Sequence, residues 1–391
     1  MQRTSTPAVS TGDLSDVKKV LIVDLMSSAG EAVAGVPVVI SSKERARILA
    51  GEGSPAALAA INFLDLNKVE QLLLLPLAEK ADGIAAIKKI AVTAVAPEPG
   101  TLVRYIGGQR VSIGIVSADT AAIIAGKLQA AINATQDMPA EAAIGGVASE
   151  VTLTATVKGE FGNDIDVVAS PYGEADPAGV TLAVTVTTPG SGNPSIAATL
   201  ASLGDVRYHY KIDGITDAAN LVILADDLTD RYSATRQIGC RAFVTLSGPV
   251  GDATTNGSMI KAAASINNPH LALVPRGNNP QLPCVWAARF AACAVRALAD
   301  DPAANTQGIE IPGLIVTDNL DFDQRQKLLE AGVITYKTDS VGTALIERLV
   351  TSYTENAQGS RDTSYLDMQV VETIDAMRTY TNATAAKRFQ K

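Results

Sequence analysis

The chain has 391 residues, of which 47% are hydrophobic and 19% are charged. This length and composition exclude a disordered or fibrous polymer and predict a globular protein of two or three domains. The formal net charge of −9 argues against nucleic-acid binding, which needs a basic surface. No apolar run approaches the roughly 20 residues of a membrane-spanning helix, and no signal peptide is recognisable, so we expect no membrane insertion and a protein that stays where it is made.

The cysteines also argue against an exported, disulfide-rich protein. Cys240, Cys284 and Cys293 are odd in number, lack metal-ligand spacing and lie among apolar or small residues. We therefore predict reduced core thiols, compatible with a cytoplasm. We also expect no cofactor, because the glycines at 51, 53, 107 and 108 lack the lysine or third glycine of a nucleotide-binding motif.

The first part of the chain predicts an arm followed by an α/β core. Residues 1–17 are rich in Thr, Ser, Pro and Gly without an apolar period, which predicts an extended or mobile arm. The apolar run of residues 18–25 then predicts a strand buried on both faces. Further predicted elements are strands at 35–40 and 69–77, and helices at 42–50 and 55–68 that begin at the N-caps Ser42 and Ser54. The order strand, helix, strand indicates parallel pairing.

From Ala91 the pattern changes to alternating apolar and polar residues, which predicts a β-rich domain. Gly107 and Gly108 predict a hairpin turn, and Thr120 caps a predicted helix. The stretch 151–168 predicts a second hairpin, because both arms alternate and Gly159, Gly162 and Asn163 lie between them. A strand at 180–186 and a loop at 189–194 end this region, which we interpret as an insertion because the α/β pattern resumes afterwards.

The rest of the chain predicts a return to the core and then a small C-terminal domain. Predicted strands are 211–214, 240–246, 270–275 and 314–316, and predicted helices are 218–233, 256–265 and 285–300. A helix at 322–331 precedes a hairpin of strands 333–338 and 343–354, and another helix begins at Ser364. The predicted domains are an arm (1–17), a discontinuous α/β core (18–90 and 195–320), a β-rich insertion (91–194) and a C-terminal domain (321–391).

The turn inside the stretch 151–168 is more specific than a hairpin requires. Its sequence Lys-Gly-Glu-Phe-Gly-Asn-Asp-Ile, residues 158–165, resembles the K-G-x-x-G-N-D-I segment of contractile phage tail sheath proteins, especially the Mu-like branch. Other stretches that resemble this family are 54–75, 105–111, 230–237, 268–270, 328–336, 346–348 and 363–367. Each motif is short, but their common order over residues 20–380 is hard to obtain by chance.

This resemblance implies a fold and a function. It implies a subtilisin-like α/β core with an inserted β-rich domain and a small C-terminal α+β domain. It implies a structural protein without catalysis, which forms stacked hexameric rings around a tail tube and contracts to drive that tube through the host envelope. The implied partners are further copies of the chain, the tube protein, and baseplate and tail terminator proteins. The implied location is the virion, after assembly in the host cytoplasm.

The C-terminal hairpin is the candidate site for subunit contacts, since an isolated hairpin is marginal in water and its edges invite pairing. The family resemblance implies that neighbouring subunits add strands to it. The candidate pairing residues are Val333, Thr335, Lys337, Leu345, Ile346, Arg348 and Val350. The expected donors are residues 1–17 or the tail after about residue 380. Family members usually continue past the equivalent of Phe389, so we expect either a fragment or a reduced sheath.

Three alternatives involve chemistry. Asp24, His209 and Ser258 follow the order of a subtilase triad, although the expected flanking glycine and threonine are missing, so a serine hydrolase is the alternative function. Asp164 and Asp166 could bind calcium with Glu160 but more simply solvate a turn. Finally, three arginines could make inter-subunit contacts or form ordinary solvated surface: Arg231, Arg236 and Arg241.

Overall fold

The computed structural model describes residues 17–95 and 97–389, without the side chain of residue 389. The predicted arm at 1–17 lies outside the described residues except for Val17. The described strands are β1 (Lys19–Leu25), β2 (Val38–Val39), β3 (Gln71–Leu77), β4 (Ile87–Ala94), β5 (Gly100–Ile106), β6 (Gln109–Ile115), β7 (Ala140–Ile144), β8 (Glu150–Ala155), β9 (Val167–Ala169), β10 (Val180–Thr188), β11 (Tyr210–Asp213), β12 (Arg241–Ser247), β13 (Leu271–Gly277), β14 (Glu310–Ile311), β15 (Thr335–Thr338) and β16 (Ala344–Arg348). The described helices are α1 (Lys43–Ala50), α2 (Pro55–Leu66), α3 (Ala121–Ala134), α4 (Ala197–Ala201), α5 (Ala218–Tyr232), α6 (Met259–Ala263), α7 (Pro283–Asp300), α8 (Phe322–Glu330) and α9 (Met368–Phe389).

A mixed sheet forms the centre of the molecule. Among the described residues it has six strands in the order β13-β12-β11-β1-β3-β2. β1 pairs in parallel with both β3 and β11, as the strand-helix-strand order predicted, whereas the two-residue β2 runs antiparallel to β3. Apolar side chains cover both faces of β1 because helices pack against the sheet. In α7, Trp286 and Phe290 are four residues apart, and they stack in the core with ring centroids 6.0 Å apart.

Two antiparallel sheets make up the β-rich region. Their orders among the described strands are β10-β4-β8-β7 and β6-β5-β9. The hairpin at Gly107 and Gly108 is confirmed, since β5 pairs with β6 across that turn. The region begins with β4 at Ile87, slightly before the predicted border, and the division of the chain into domains remains a prediction.

The hairpin predicted over residues 151–168 is wrong. β8 already has β4 on one side and β7 on the other, so it has no free edge for a third strand. A 3₁₀ turn at Glu160–Asp164 carries the chain to the other sheet, where β9 pairs with β5. Both arms are strands, but they belong to different sheets.

Two strand predictions near the C-terminal region also need correction. Residues 314–316 form no strand, because the Ile315 amide donates to Oε1 of Gln281 at 2.7 Å instead of to a neighbouring backbone. The second strand of the C-terminal hairpin ends at Arg348 and not at residue 354. The helix predicted from Ser364 begins at Met368.

Helix α9 packs across the edge of the main sheet at which β1 and β11 begin. Arg241 Nη2 donates to the Val371 carbonyl at 3.0 Å, and its guanidinium lies near Glu372 and Asp375. Arg241 is buried, and so is Arg231, which binds Asp227 one helical turn away. Neither arginine is therefore a surface or inter-subunit residue, because each compensates a carboxylate within the protomer. Arg236 remains partly exposed beside Asp205 and Asp230.

Candidate subunit interface

The C-terminal hairpin forms as the sequence predicts. β15 and β16 pair antiparallel with a bulge near Thr335, and the connecting turn is closed by the Asp339 amide, which donates to the Thr343 carbonyl at 3.0 Å. The Asp339 side chain accepts the amides of Val341 and Thr343, and Gly342 adopts a φ of 87°. Asp and Gly at these positions are the local signal that makes this turn predictable.

One edge of the hairpin is already occupied within the chain. β14 pairs with the outer side of β16, where Glu310 lies opposite Leu345. The Ile346 amide donates to the Ile309 carbonyl at 2.9 Å, and the Ile346 carbonyl accepts the Gly308 amide at 2.8 Å. A local segment of the same chain therefore uses the amide of Ile346, one of the candidate pairing residues.

The other edge is occupied only at its beginning. Val333 forms a parallel bridge with Leu273 of β13, and the Ile334 amide donates to the Leu273 carbonyl at 3.0 Å. Because amides alternate in direction along a strand, the Thr338 amide points the same way as that of Ile334, away from β16. β15 is the outermost strand of its sheet among the described residues. The open part of the hairpin is thus the end of β15 next to the turn.

The candidate pairing residues differ in exposure. Four of their side chains are buried: Val333, Thr335, Ile346 and Val350. Leu345 is half-buried, while Lys337 and Arg348 are exposed. The exposed pair is engaged inside the protomer, since Lys337 Nζ lies 2.6 Å from Glu347 and Arg348 forms two 3.0 Å hydrogen bonds to Asp367. The candidate site therefore combines core positions with a short, charged outer surface.

The residues of the alternative triad do not come together. His209 Nδ1 accepts the Lys19 amide at 3.1 Å, which places it where β1 begins. Asp24 lies five residues after Lys19 in β1. At roughly 3.3 Å per residue, it is about 16 Å from the end of the strand that His209 contacts. Burial lowers the pKa of His209 to about 3, with the positive charge of Arg207 acting in the same direction, so the imidazole is neutral and poorly suited to accept a proton.

Ser258 has a structural role. Its hydroxyl donates to the Asp252 carbonyl at 2.8 Å and accepts the Lys261 amide at 3.2 Å, as the N-cap of α6. A nucleophile needs a base within hydrogen-bond reach, and the hydroxyl of Ser258 is instead committed to backbone groups. The residues predicted for a hydrolase thus lack the geometry of one.

The acidic turn is an ion-pair site. Asp164 and Asp166 bind the buried guanidinium of Arg276 at 2.9 and 3.0 Å, so they do not simply solvate a turn. No local pattern predicts this partner, which lies more than 100 residues away along the chain. In the part of the chain that the structure describes, no group of three or more His, Cys, Asp or Glu side chains could hold a metal ion.

The cysteine prediction agrees with the structure. Cys240 and Cys284 are buried free thiols, and Cys293 is a half-buried one. Burial raises the pKa of Cys240 to about 11, which keeps it protonated and unreactive. None of the helices within residues 17–95 and 97–389 has the length and apolar character needed to cross a membrane.

The known proteins to which this chain is similar are tail sheath proteins. Residues 190–352 match the family model of the phage tail sheath protein central domain. Over 390 residues the chain is 32% identical to the Mu-like prophage FluMu tail sheath protein of Haemophilus influenzae, in a match that covers 99% of this chain and 78% of that protein. The fold is similar to the crystal structure of a sheath tail protein from Desulfitobacterium hafniense, with a TM-score of 0.52, 13% identity, and coverage of 100% of this chain and 83% of the other.

These observations define a structural component of a contractile, phage-type tail, located in the virion. The chain belongs to the phage tail sheath protein family. The resemblance that the sequence motifs indicated is confirmed.

Proposed function

We propose that this chain forms hexameric rings, which stack helically around a tail tube and contract to drive the tube through the host envelope. The observation that carries the proposal is the 32% identity to a tail sheath protein over essentially the whole chain. Identity at this level over 99% of the chain supports a common fold with that protein. The proposed arrangement includes a subtilisin-like core, which serves as a scaffold without enzymatic activity.

The proposed partners are other copies of the chain, the tube protein, and the baseplate and tail terminator proteins. The net charge of −9 supports the absence of nucleic acid from this set. Assembly takes place in the host cytoplasm, where the buried free thiols Cys240 and Cys284 stay reduced.

The subunits are joined by strand addition at the C-terminal hairpin. The receiving edge is the end of β15 at Lys337 and Thr338, since β14 covers the opposite edge at Ile346. The donor lies within the segment 1–17 of a neighbouring subunit. The tail after residue 380 is a poor donor, because α9 is helical as far as Phe389 and cannot add to a sheet without unfolding.

Negative-stain microscopy of the purified full chain tests the proposal directly. We expect rings or tubes, and no labelling of Ser258 by a serine-directed fluorophosphonate. A chain that lacks residues 1–17 should give soluble protomers without tubes. A monodisperse protein that is labelled at Ser258 contradicts the sheath function, while tubes formed without residues 1–17 contradict strand donation and leave the sheath function intact.

A further inference from the structure

A cavity of about 380 Å³ lies between part of α9 and the edge of the main sheet. Its apolar wall consists of Leu298, Ala299, Pro302, Ala376, Met377 and Tyr380. Lys18 and His209 also line it, which places it where β1 and β11 begin. Met377 and Tyr380 remain 65% and 47% exposed, so this cavity presents large apolar side chains to solvent.

The polar wall of the cavity has an unused donor. Arg207 Nη2 binds Asp375 at 2.7 Å and Nη1 binds Thr379 at 3.1 Å. Its Nε is buried and has no acceptor among the described residues. A buried donor without an acceptor costs free energy, so this wall favours a ligand that brings an oxygen. The fitting occupant therefore carries an apolar side chain next to a hydrogen-bond acceptor.

Such a segment immediately precedes the cavity in the chain. Residues 13–16 are Asp-Leu-Ser-Asp, and they lead through Val17 to Lys18 in the cavity wall. Leu14 is four residues from Lys18, so its Cα can lie at most about 14 Å away. Leu14 supplies an apolar side chain, and Asp13 and Asp16 supply acceptors beside it.

We propose that residues 13–16 dock in this cavity of their own chain, with Leu14 against Met377 and Tyr380 and an aspartate facing Arg207. The docked segment fixes the point at which the N-terminal arm leaves the core. Only residues 1–12 then remain to reach a neighbour, over at most about 40 Å. This inference goes beyond the proposed assembly, because it concerns the single protomer.

A disulfide trap tests the docking. Leu14→Cys and Met377→Cys are combined with Cys293→Ala, while Cys240 and Cys284 stay because they are buried. On mild oxidation of the dilute, unassembled protein we expect an intrachain disulfide, identified by peptide mass spectrometry. The matched control pairs Leu14→Cys with Val341→Cys, whose position in the hairpin turn is 83% exposed, and should not form that bond. Equal trapping in both pairs, or a disulfide-linked dimer, would overturn the proposal.

Hydrogen exchange provides a second measurement without new cysteines. The amides of residues 376–380 should exchange about tenfold faster in a chain that lacks residues 1–16 than in the full chain, because α9 loses a packing partner. Full-length Leu14→Ser should show the same increase, whereas Val9→Ser should leave exchange unchanged. Unchanged exchange after removal of the segment contradicts the docking. Both measurements use unassembled protein, so their outcome is separate from whether tubes form.

Discussion

Arg276, near the end of β13, pairs with Asp164 at 2.9 Å between the main sheet and the β-rich region. Asp166 accepts a hydrogen bond from a second nitrogen of the same guanidinium, and Arg276 Nε donates to the Gln281 carbonyl. Burial raises the pKa of Asp164 above its ordinary value, and the charge of Arg276 opposes that rise. One arginine thus holds the sequence motif that resembles the family against the central sheet.

Arg276→Met should lower the free energy of unfolding by about 1–3 kcal/mol, because it leaves the half-buried carboxylates of Asp164 and Asp166 without the guanidinium that they bind. Urea denaturation measures the loss. Arg236→Met is the matched control, since its partners Asp205 and Asp230 are exposed and such pairs contribute roughly 0–1 kcal/mol. Equal losses in the two variants would show that the Arg276 cluster adds nothing beyond a surface pair.

His270 should make the protein less stable in mild acid. It is buried with its ring 4.2 Å from that of Tyr232, and Arg241, Asp375 and Arg378 are the charged groups around it. Burial lowers the pKa of His270 to about 3, with Arg241 adding to the decrease and Asp375 opposing it.

Between about pH 6.5 and pH 3 the unfolded chain therefore binds a proton at His270 that the folded chain does not. Stability must fall as the pH decreases through this window, by up to ~1.4 kcal/mol per pH unit from this group. His270→Phe keeps a ring beside Tyr232 and removes the titration, so its Tm should fall less than that of the wild type between pH 7 and pH 5. An identical fall, measured by thermal denaturation, would rule out His270 as a source.

Local features of the fold were predictable from the sequence, but contacts between residues far apart in the chain were not. Ser42, Ser54 and Thr120 each cap a helix by accepting an amide three residues later, an interaction that needs only neighbouring residues. Arg241 was misjudged because its compensating carboxylates lie on α9, about 130 residues away in sequence. At the candidate interface, the turn residues identified the hairpin, but only the three-dimensional structure shows β14 against Ile346.

Ser258→Ala should cost about 1 kcal/mol of stability through loss of the N-cap of α6, and should leave tube formation unchanged. Ser258→Asp keeps a capping side chain and should restore part of that stability. Chemical denaturation and microscopy measure the two effects. Peptidase activity in the wild type that disappears in Ser258→Ala would contradict the structural role of this hydroxyl.

Ile346→Pro should destabilise the protomer itself. Proline removes the amide that donates to the Ile309 carbonyl and leaves that acceptor unpaired, at a cost of about 1–3 kcal/mol before any strain. We therefore expect a lower Tm in dilute, unassembled protein. A Tm equal to that of the wild type, together with loss of tubes, would mean that this amide serves a neighbouring subunit after all.

Thr338→Pro tests the open edge. The Thr338 amide points away from β16, so its loss should leave the Tm of the protomer nearly unchanged, as proline is tolerated on edge strands. If a neighbouring subunit adds a strand there, the variant should fail to form tubes, because the added strand loses a donor from its ladder. Thr338→Val is the matched control: it keeps the amide and loses only the hydroxyl contact to Asn319, so it should form tubes. Normal tubes from Thr338→Pro would show that the rings are joined elsewhere, and failure of both variants would assign the effect to the side chain of Thr338 and not to strand addition.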